Sequence, residues 1–191
     1  MYSPVLVDAP FDTPVSLDEV KAQLDLGYEA KDAYITTLLA AAVNYLDGYS
    51  GVLGRCMVSQ SWRQDFDDFS SCLNLPQVPV SEITSVTYID TDGATQVVDP
   101  SDYQLVSKVA EAYVIFDSDY TLPALNVDGP SVSVTYVAGF GDAEAVPAVM
   151  KQIIFLLVRH WFDNPSAVVV GVPAQAMPFA IDALIGQARK L

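Results

Sequence analysis

The chain has 191 residues, 51% of them hydrophobic, with a formal charge of −15 and a mean hydropathy of +0.29. A chain of this length buries a core without covalent staples, and this much apolar character excludes global disorder. The charge is uneven: residues 151–191 net +2 and the remainder −17, so the first 150 residues form a surface that repels phosphate and argues against a nucleic-acid clamp.

The first residues, MYSPVLVDAPF, have no basic start and no long apolar stretch, so they are not read as a signal peptide. Ser16-Leu17-Asp18-Glu19 is a capping box, in which the serine hydroxyl takes an orphan helix N–H and the glutamate reaches back. It predicts a short helix through Val20 and Leu24 that stops near Gly27. A second helix follows. Ile35, Leu38, Leu39, Ala42, Val43 and Leu46 share one apolar face, Asp32 sits at the positive end of the dipole, and Asp47-Gly48 with Ser50-Gly51 closes the element.

From Met57 to about Phe140 the period changes to two. Strands are predicted over 57–66, 83–89, 95–98, 103–106, 112–116 and 131–138, with hairpin chemistry at Thr91-Asp92-Gly93-Ala94. Pro76, Pro79, Pro100, Pro123 and Pro130 punctuate the region, and Gly139 with Gly141 ends the last strand.

A third helix is predicted to begin at Pro147, with Met150, Ile153, Ile154, Leu157, Val158 and Trp161 on one face. Phe155, Leu156, His160 and Phe162 lie outside that stripe. A helix apolar nearly all round needs cover on several sides, which a single helix pair does not supply; it is expected in a bundle centre, at a subunit interface, or both, and these four residues are the candidates for the interface. Its longest apolar run, Ile153–Val158, is far too short to span a bilayer. Residues 166–177 are apolar but rich in small residues, with no period. Pro178 then opens a last helix with Ile181, Leu184 and Ile185 on one side and Arg189 and Lys190 at its end.

The fold class expected is α+β: a helical bundle core built by N- and C-terminal helices, with a β-rich insertion between them. In domain terms, residues 1–56 supply the N-terminal helices, 57–141 the insertion, 142–165 the central apolar helix and 166–191 a C-terminal segment.

A search for chemistry finds no catalytic, cofactor-binding or metal residue. His160 is the only histidine and sits in the most apolar helix. Cys56 and Cys72 match no metal spacing and are read as reduced, half-buried thiols. Asp65-Phe66-Asp67-Asp68 and Asp90-Thr91-Asp92-Gly93 resemble fragments of calcium loops, without the downstream glutamate that such loops use. Asp117-Ser118-Asp119 is weaker still. Gly139-Phe140-Gly141-Asp142 lacks the third glycine, lysine and hydroxyl of a phosphate loop, and reads as a turn. Carboxylates are abundant but no pair is singled out for glycoside hydrolysis. Trp62, Tyr88, Tyr103 and Tyr136, at strand spacing, are read as core rather than as a sugar groove.

The order of segments is more informative than any one residue. Leu46-Asp47-Gly48-Tyr49-Ser50-Gly51 closes a helix. Trp62 leads to an acidic aromatic stretch, then Leu75-Pro76-Gln77-Val78-Pro79-Val80, Ile83 to Asp90, Asp92-Gly93 and Ser101-Asp102-Tyr103. Val134 to Gly141 precedes Val146-Pro147 and a helix ending His160-Trp161-Phe162, and the chain closes with Met177-Pro178-Phe179-Ala180-Ile181-Asp182-Ala183-Leu184-Ile185. From about Ser16 to Arg189 this series resembles the head–tail connector (adaptor, head-completion) proteins of long-tailed phages and gene transfer agents.

The resemblance implies a non-enzymatic virion protein with no cofactor. It implies a ring, usually of twelve copies, docked under the portal, contacting stopper or tail proteins, with DNA passing through its centre unbound. It also implies a C-terminal segment that engages the portal, by position Pro178, Phe179, Ile181, Leu184, Ile185 and Arg189. Deletion of 178–191 is expected to leave the fold intact but abolish portal docking. This sequence departs from the pattern at Asn164-Pro165 and in lacking an aromatic beside the last arginine. The expected location is the host cytoplasm during assembly, then the particle neck, with no membrane. The other readings left open are a different neck component (stopper or tail terminator) and a monomeric module that grips a glycan or protein.

Overall fold

The structure is a computed structural model, and it describes residues 2–26, 31–126, 129–165 and 179–191. The chain is α+β and divides into two units. One contains residues 1–11 and 58–140, the other residues 12–57 and 141–191. Residues 166–177 and Pro178, about which the sequence made specific statements, lie outside the described residues.

The helical unit starts at α1 (Leu17–Gln23), where the capping box forms as expected: the Glu19 N–H donates to the Ser16 hydroxyl at 3.2 Å, and the Ser16 N–H donates to the Glu19 carboxylate at 2.7 Å. Helix α2 (Asp32–Leu46) buries Ile35, Leu39, Ala42 and Leu46, while Leu38 and Val43 are half-buried at the margin of that face. Helix α3 (Ala148–Asp163) buries Met150, Ile153, Ile154, Leu157 and Val158. Pro147 is its N-cap rather than its first helical residue, a one-position difference within the usual uncertainty of helix ends. Trp161, expected on the buried stripe, is half-exposed and packs edge-on to Tyr45. Helix α4 (Phe179–Ala188) buries Ile181, Ile185 and Ala188. Helix α3 packs against α2, α4 and α1, and α1 also touches α2.

The other unit carries two antiparallel sheets. The first has the order β1-β2-β8-β4-β5, from β1 (Val5–Asp8), β2 (Gln60–Phe66), β8 (Val132–Ala138), β4 (Val80–Ile89) and β5 (Thr95–Val97). The second has the order β3-β7-β6, from β3 (Leu73–Leu75), β7 (Ala112–Phe116) and β6 (Tyr103–Ser107). Strand β8 is central, and its buried residues Val132, Val134, Tyr136 and Ala138 alternate with half-buried ones, the period the sequence displays. Tyr136 is fully buried and its hydroxyl accepts the Gln77 N–H at 3.3 Å. The sheets are joined by the Ser107 hydroxyl, which donates to the Val80 carbonyl at 3.0 Å, and by Phe69, which packs edge-on to both Tyr88 and Phe116.

The six strands expected from sequence all form, with shifted ends. Two strands were not anticipated. Strand β1 pairs residues 5–8 with β2, and β3 is three residues long. The β4–β5 turn is held as expected, with Gly93 at φ 81 and the Asp90 carboxylate accepting the N–H groups of Asp92 and Ala94.

Candidate assembly surfaces

The acidic motifs have local structural roles. Asp90 caps the hairpin, and its carboxyl is held below the ordinary range by hydrogen bonds from Gln96 and from the Ala94 backbone. Asp65 accepts from the Arg63 guanidinium at 2.9 Å and from the Ser133 hydroxyl at 2.8 Å. Asp142 accepts the Ala145 N–H at 3.0 Å, closing the turn before α3. Among the described residues no group of three or more His, Cys, Asp or Glu side chains is placed to hold a metal ion, and no helix is long and apolar enough to cross a membrane. Cys56 is buried and Cys72 half-exposed.

Gly139 follows from backbone geometry. Its φ is 136, and a Cβ there would lie 2.6 Å from backbone atoms of Val58 and Ser59. The glycine thus lets the end of β8 pass close to the chain entering β2.

The loop after α2 folds back on the helix. The Met57 N–H donates to the Asp47 carboxylate at 2.6 Å, and the N–H groups of Val52 and Leu53 donate to the carbonyls of Tyr45 and Leu46. Gly51 is obligatory there, because a Cβ would lie 2.3 Å from the carbonyl oxygens of Leu46 and Asp47. The segment Leu46–Gly51 therefore encodes a tight helix exit.

That loop also holds α4. Arg55, almost wholly buried, donates from Nε and Nη2 to the Arg189 carbonyl at 3.2 and 3.1 Å. In return the Arg189 guanidinium donates to the Val52 carbonyl, 2.8 Å from Nε. Burial lowers the Arg55 pKa from its ordinary value, but a guanidinium stays cationic and complements the negative end of α4. This reciprocal pair was not visible in the sequence, since its partners are 134 and 137 positions apart.

The residues singled out for portal docking are thus distributed unevenly. Ile181 and Ile185 are buried in the helical unit, Leu184 is half-buried, and Arg189 is exposed but bonded to Val52. Phe179 opens α4. The expectation that residues 178–191 could be deleted without harm to the fold is corrected: α4 fills core, and its loss would uncover apolar residues of α3.

The residues assigned to a subunit interface, Phe155, Leu156, His160 and Phe162, are all half-exposed in the single chain. Phe162 packs against Tyr34 with ring centroids 6.0 Å apart, and the Lys31 ammonium lies 4.6 Å from the Phe162 centroid. Along α2, Tyr34, Leu38, Ala41 and Tyr45 form a second apolar stripe at helical spacing, with Tyr34, Ala41 and Tyr45 exposed and Leu38 half-buried. Together with Trp161 and Phe162 they make an aromatic surface on the helical unit, of the kind that marks protein contacts.

A family model described as phage gp6-like head–tail connector protein matches residues 14–75. Over that span the chain is similar to the head–tail connector proteins of phages. The matched span runs through α1, α2, the loop that holds α4, and strands β2 and β3. Solved structures resemble this chain over its whole length. A chain from the neck of an empty gene transfer agent (GTA) particle, computed with C6 symmetry, is 25% identical, with a TM-score of 0.79, covering 100% of this chain and 96% of that one. A chain from the virion of a native GTA particle is 26% identical with a TM-score of 0.77 and the same coverage. A third, from the neck of a native GTA particle computed with C12 symmetry, shares the fold at 23% identity, with a TM-score of 0.72 and the same coverage. No curated protein matches the chain.

Proposed function

We propose that this chain is a head–tail connector, a structural ring subunit of the particle neck that joins the portal to the tail. The observation that carries the reading is the end-to-end likeness to a chain from a GTA particle neck, with 25% identity and a TM-score of 0.79. The sixfold and twelvefold symmetries of the similar necks support a ring, and twelve copies is the number we propose. Such a ring is closed by a heterologous interface, so each subunit needs two different contact faces. The half-exposed flank of α3, with Phe155, Leu156, His160 and Phe162, supplies one of them.

The four helices act as the bundle core of the ring body. Its four proposed segments are 1–56, 57–141, 142–165 and 166–191, the last engaging the portal through Pro178, Phe179, Leu184 and Arg189. Ile181 and Ile185 serve that contact by seating α4, which their burial supports. The net charge of −17 over residues 1–150 suits the wall of a channel through which DNA passes without adhering. No enzymatic step is part of this role. Assembly takes place in the host cytoplasm, and the stopper or tail proteins bind the face away from the portal.

Co-expression with the portal protein of the same particle tests this. Size-exclusion chromatography followed by negative-stain imaging is expected to show rings capping the portal. A chain that stays monomeric beside the portal and instead binds a glycan would overturn it.

A further inference from the structure

The first sheet ends in two strands that are exposed along their whole lengths, β1 and β5. In β1, Val5, Leu6 and Val7 are 43%, 44% and 50% exposed, and in β5 Val97 is 70% exposed. Phe11, next to Pro10 just beyond β1, is fully exposed. An open edge presents a row of unpaired backbone groups, and proteins that stay apart blunt it with lysine, inward charges or cover. Neither strand does so. Strand β1 carries only Asp8, and β5 (Thr95, Gln96, Val97) carries no charge. Between them the two edge strands carry a single carboxylate, Asp8.

Strand β1 is also held ready. The Tyr2 hydroxyl donates to the Asp67 carboxylate at 2.6 Å, and the Gln64 side-chain amide donates to the Tyr2 carbonyl at 2.8 Å, which fixes the chain entering the strand. Each neighbouring pair in the sheet is antiparallel, so the first and fifth strands run in the same direction. A neighbour generated by rotation about an axis along the strands therefore meets β1 with its own β5 as a parallel pair, a contact that repeats without change around a closed ring.

We propose that β1 of one subunit pairs with β5 of the next, so that the sheets join around the ring, with Phe11 as the apolar anchor beside the seam. The inference rests on the ring reading above and adds a second, main-chain interface to it.

Disulfide trapping tests it in assembled necks. In a Cys72→Ser background, Leu6→Cys is combined with either Gln96→Cys or Val97→Cys, which face opposite sides of the sheet, so in the register that sets Leu6 beside the centre of β5 one pair shares a face. Within one chain the two edges are separated by roughly 19 Å, four strand spacings, far beyond the reach of a disulfide. Any bond between the two introduced cysteines under diamide therefore links two copies. The expected result is a ladder of multimers on non-reducing gels for one of the pairs. Necks that form normally but yield only monomer with both pairs overturn the edge pairing and leave the connector reading intact, whereas failure of the parent sequence to form rings overturns the connector reading itself. As a second arm, Val97→Lys is expected to cut ring yield at least tenfold with the unfolding midpoint of the single chain unchanged. Undiminished rings would overturn the pairing.

Discussion

Arg55 shows how far apart in sequence the decisive contacts of this fold are. It lies in a loop that reads as ordinary helix-exit chemistry, yet its guanidinium is buried and satisfies the carbonyl of Arg189. Replacing it removes both bonds to that part-buried carbonyl and the packing of a buried side chain, so Arg55→Ala is expected to lower stability by about 2 kcal/mol, measured as a shift in the urea midpoint. Gly139 is the backbone counterpart. Its positive φ and the 2.6 Å approach to Val58 and Ser59 leave no room for a methyl group. Gly139→Ala is expected to cost at least ~2 kcal/mol by the same measurement, while Gly93→Ala, with open space around its Cβ, should cost less. The sequence marked Gly139 as the end of a strand, because glycine after a period-two run signals a stop. It could not reveal the neighbour that makes glycine necessary, since 58–59 come close only once β2 and β8 have paired.

Elements with local signals were the legible ones. The capping box of α1 was readable because its partners are three residues apart, and it makes a pH prediction. The Glu19 carboxyl is held below its ordinary value of 4.5, chiefly by the hydrogen bond from the Ser16 backbone. A depressed carboxylate contributes stability that is present above its unfolded value and is lost as pH falls through its folded value. Helix α1 should therefore loosen in acid below about pH 4.5, and Ser16→Ala, which removes the hydroxyl but keeps the backbone donor, should weaken that dependence without abolishing it and cost about 1 kcal/mol at neutral pH. Hydrogen exchange of the α1 amides across pH 3–7 checks both (~4 units of range around the transition). The two faces of α3 separate folding from assembly. Ile154→Ala or Leu157→Ala is expected to cost about 2–5 kcal/mol, since both are fully buried. Phe155→Ala and Leu156→Ala should cost less in thermal unfolding but prevent ring formation. Strands β1 and β3 escaped notice for a physical reason: four and three residues are too few to establish alternation, and Val5-Leu6-Val7 between Pro4 and Pro10 shows no polar face at all. For α4 the apolar stripe of Ile181, Leu184 and Ile185 was legible, but a stripe alone does not say whether it covers the chain's own core or a partner. The structure assigns Ile181 and Ile185 to the core.

At the scale of the whole molecule, the order of elements carried the assignment, and no site chemistry did. A helix pair, a β-rich middle and a late apolar helix are each common, but their series resembles the connector pattern. The match of the family model to residues 14–75 and the full-length likeness to chains of GTA particles agree with it. What sequence left open was how one chain offers two different faces to its neighbours. The half-exposed aromatic flank of α3 and the bare edges of the first sheet are the surfaces we assign to that task. The most direct measurement is cryo-electron microscopy of the neck of the particle that encodes this chain. The account predicts a closed ring of this chain between portal and tail, with the α3 flank and the sheet edges buried between copies. A neck whose ring is built from another protein, with this chain absent from it, would contradict the account.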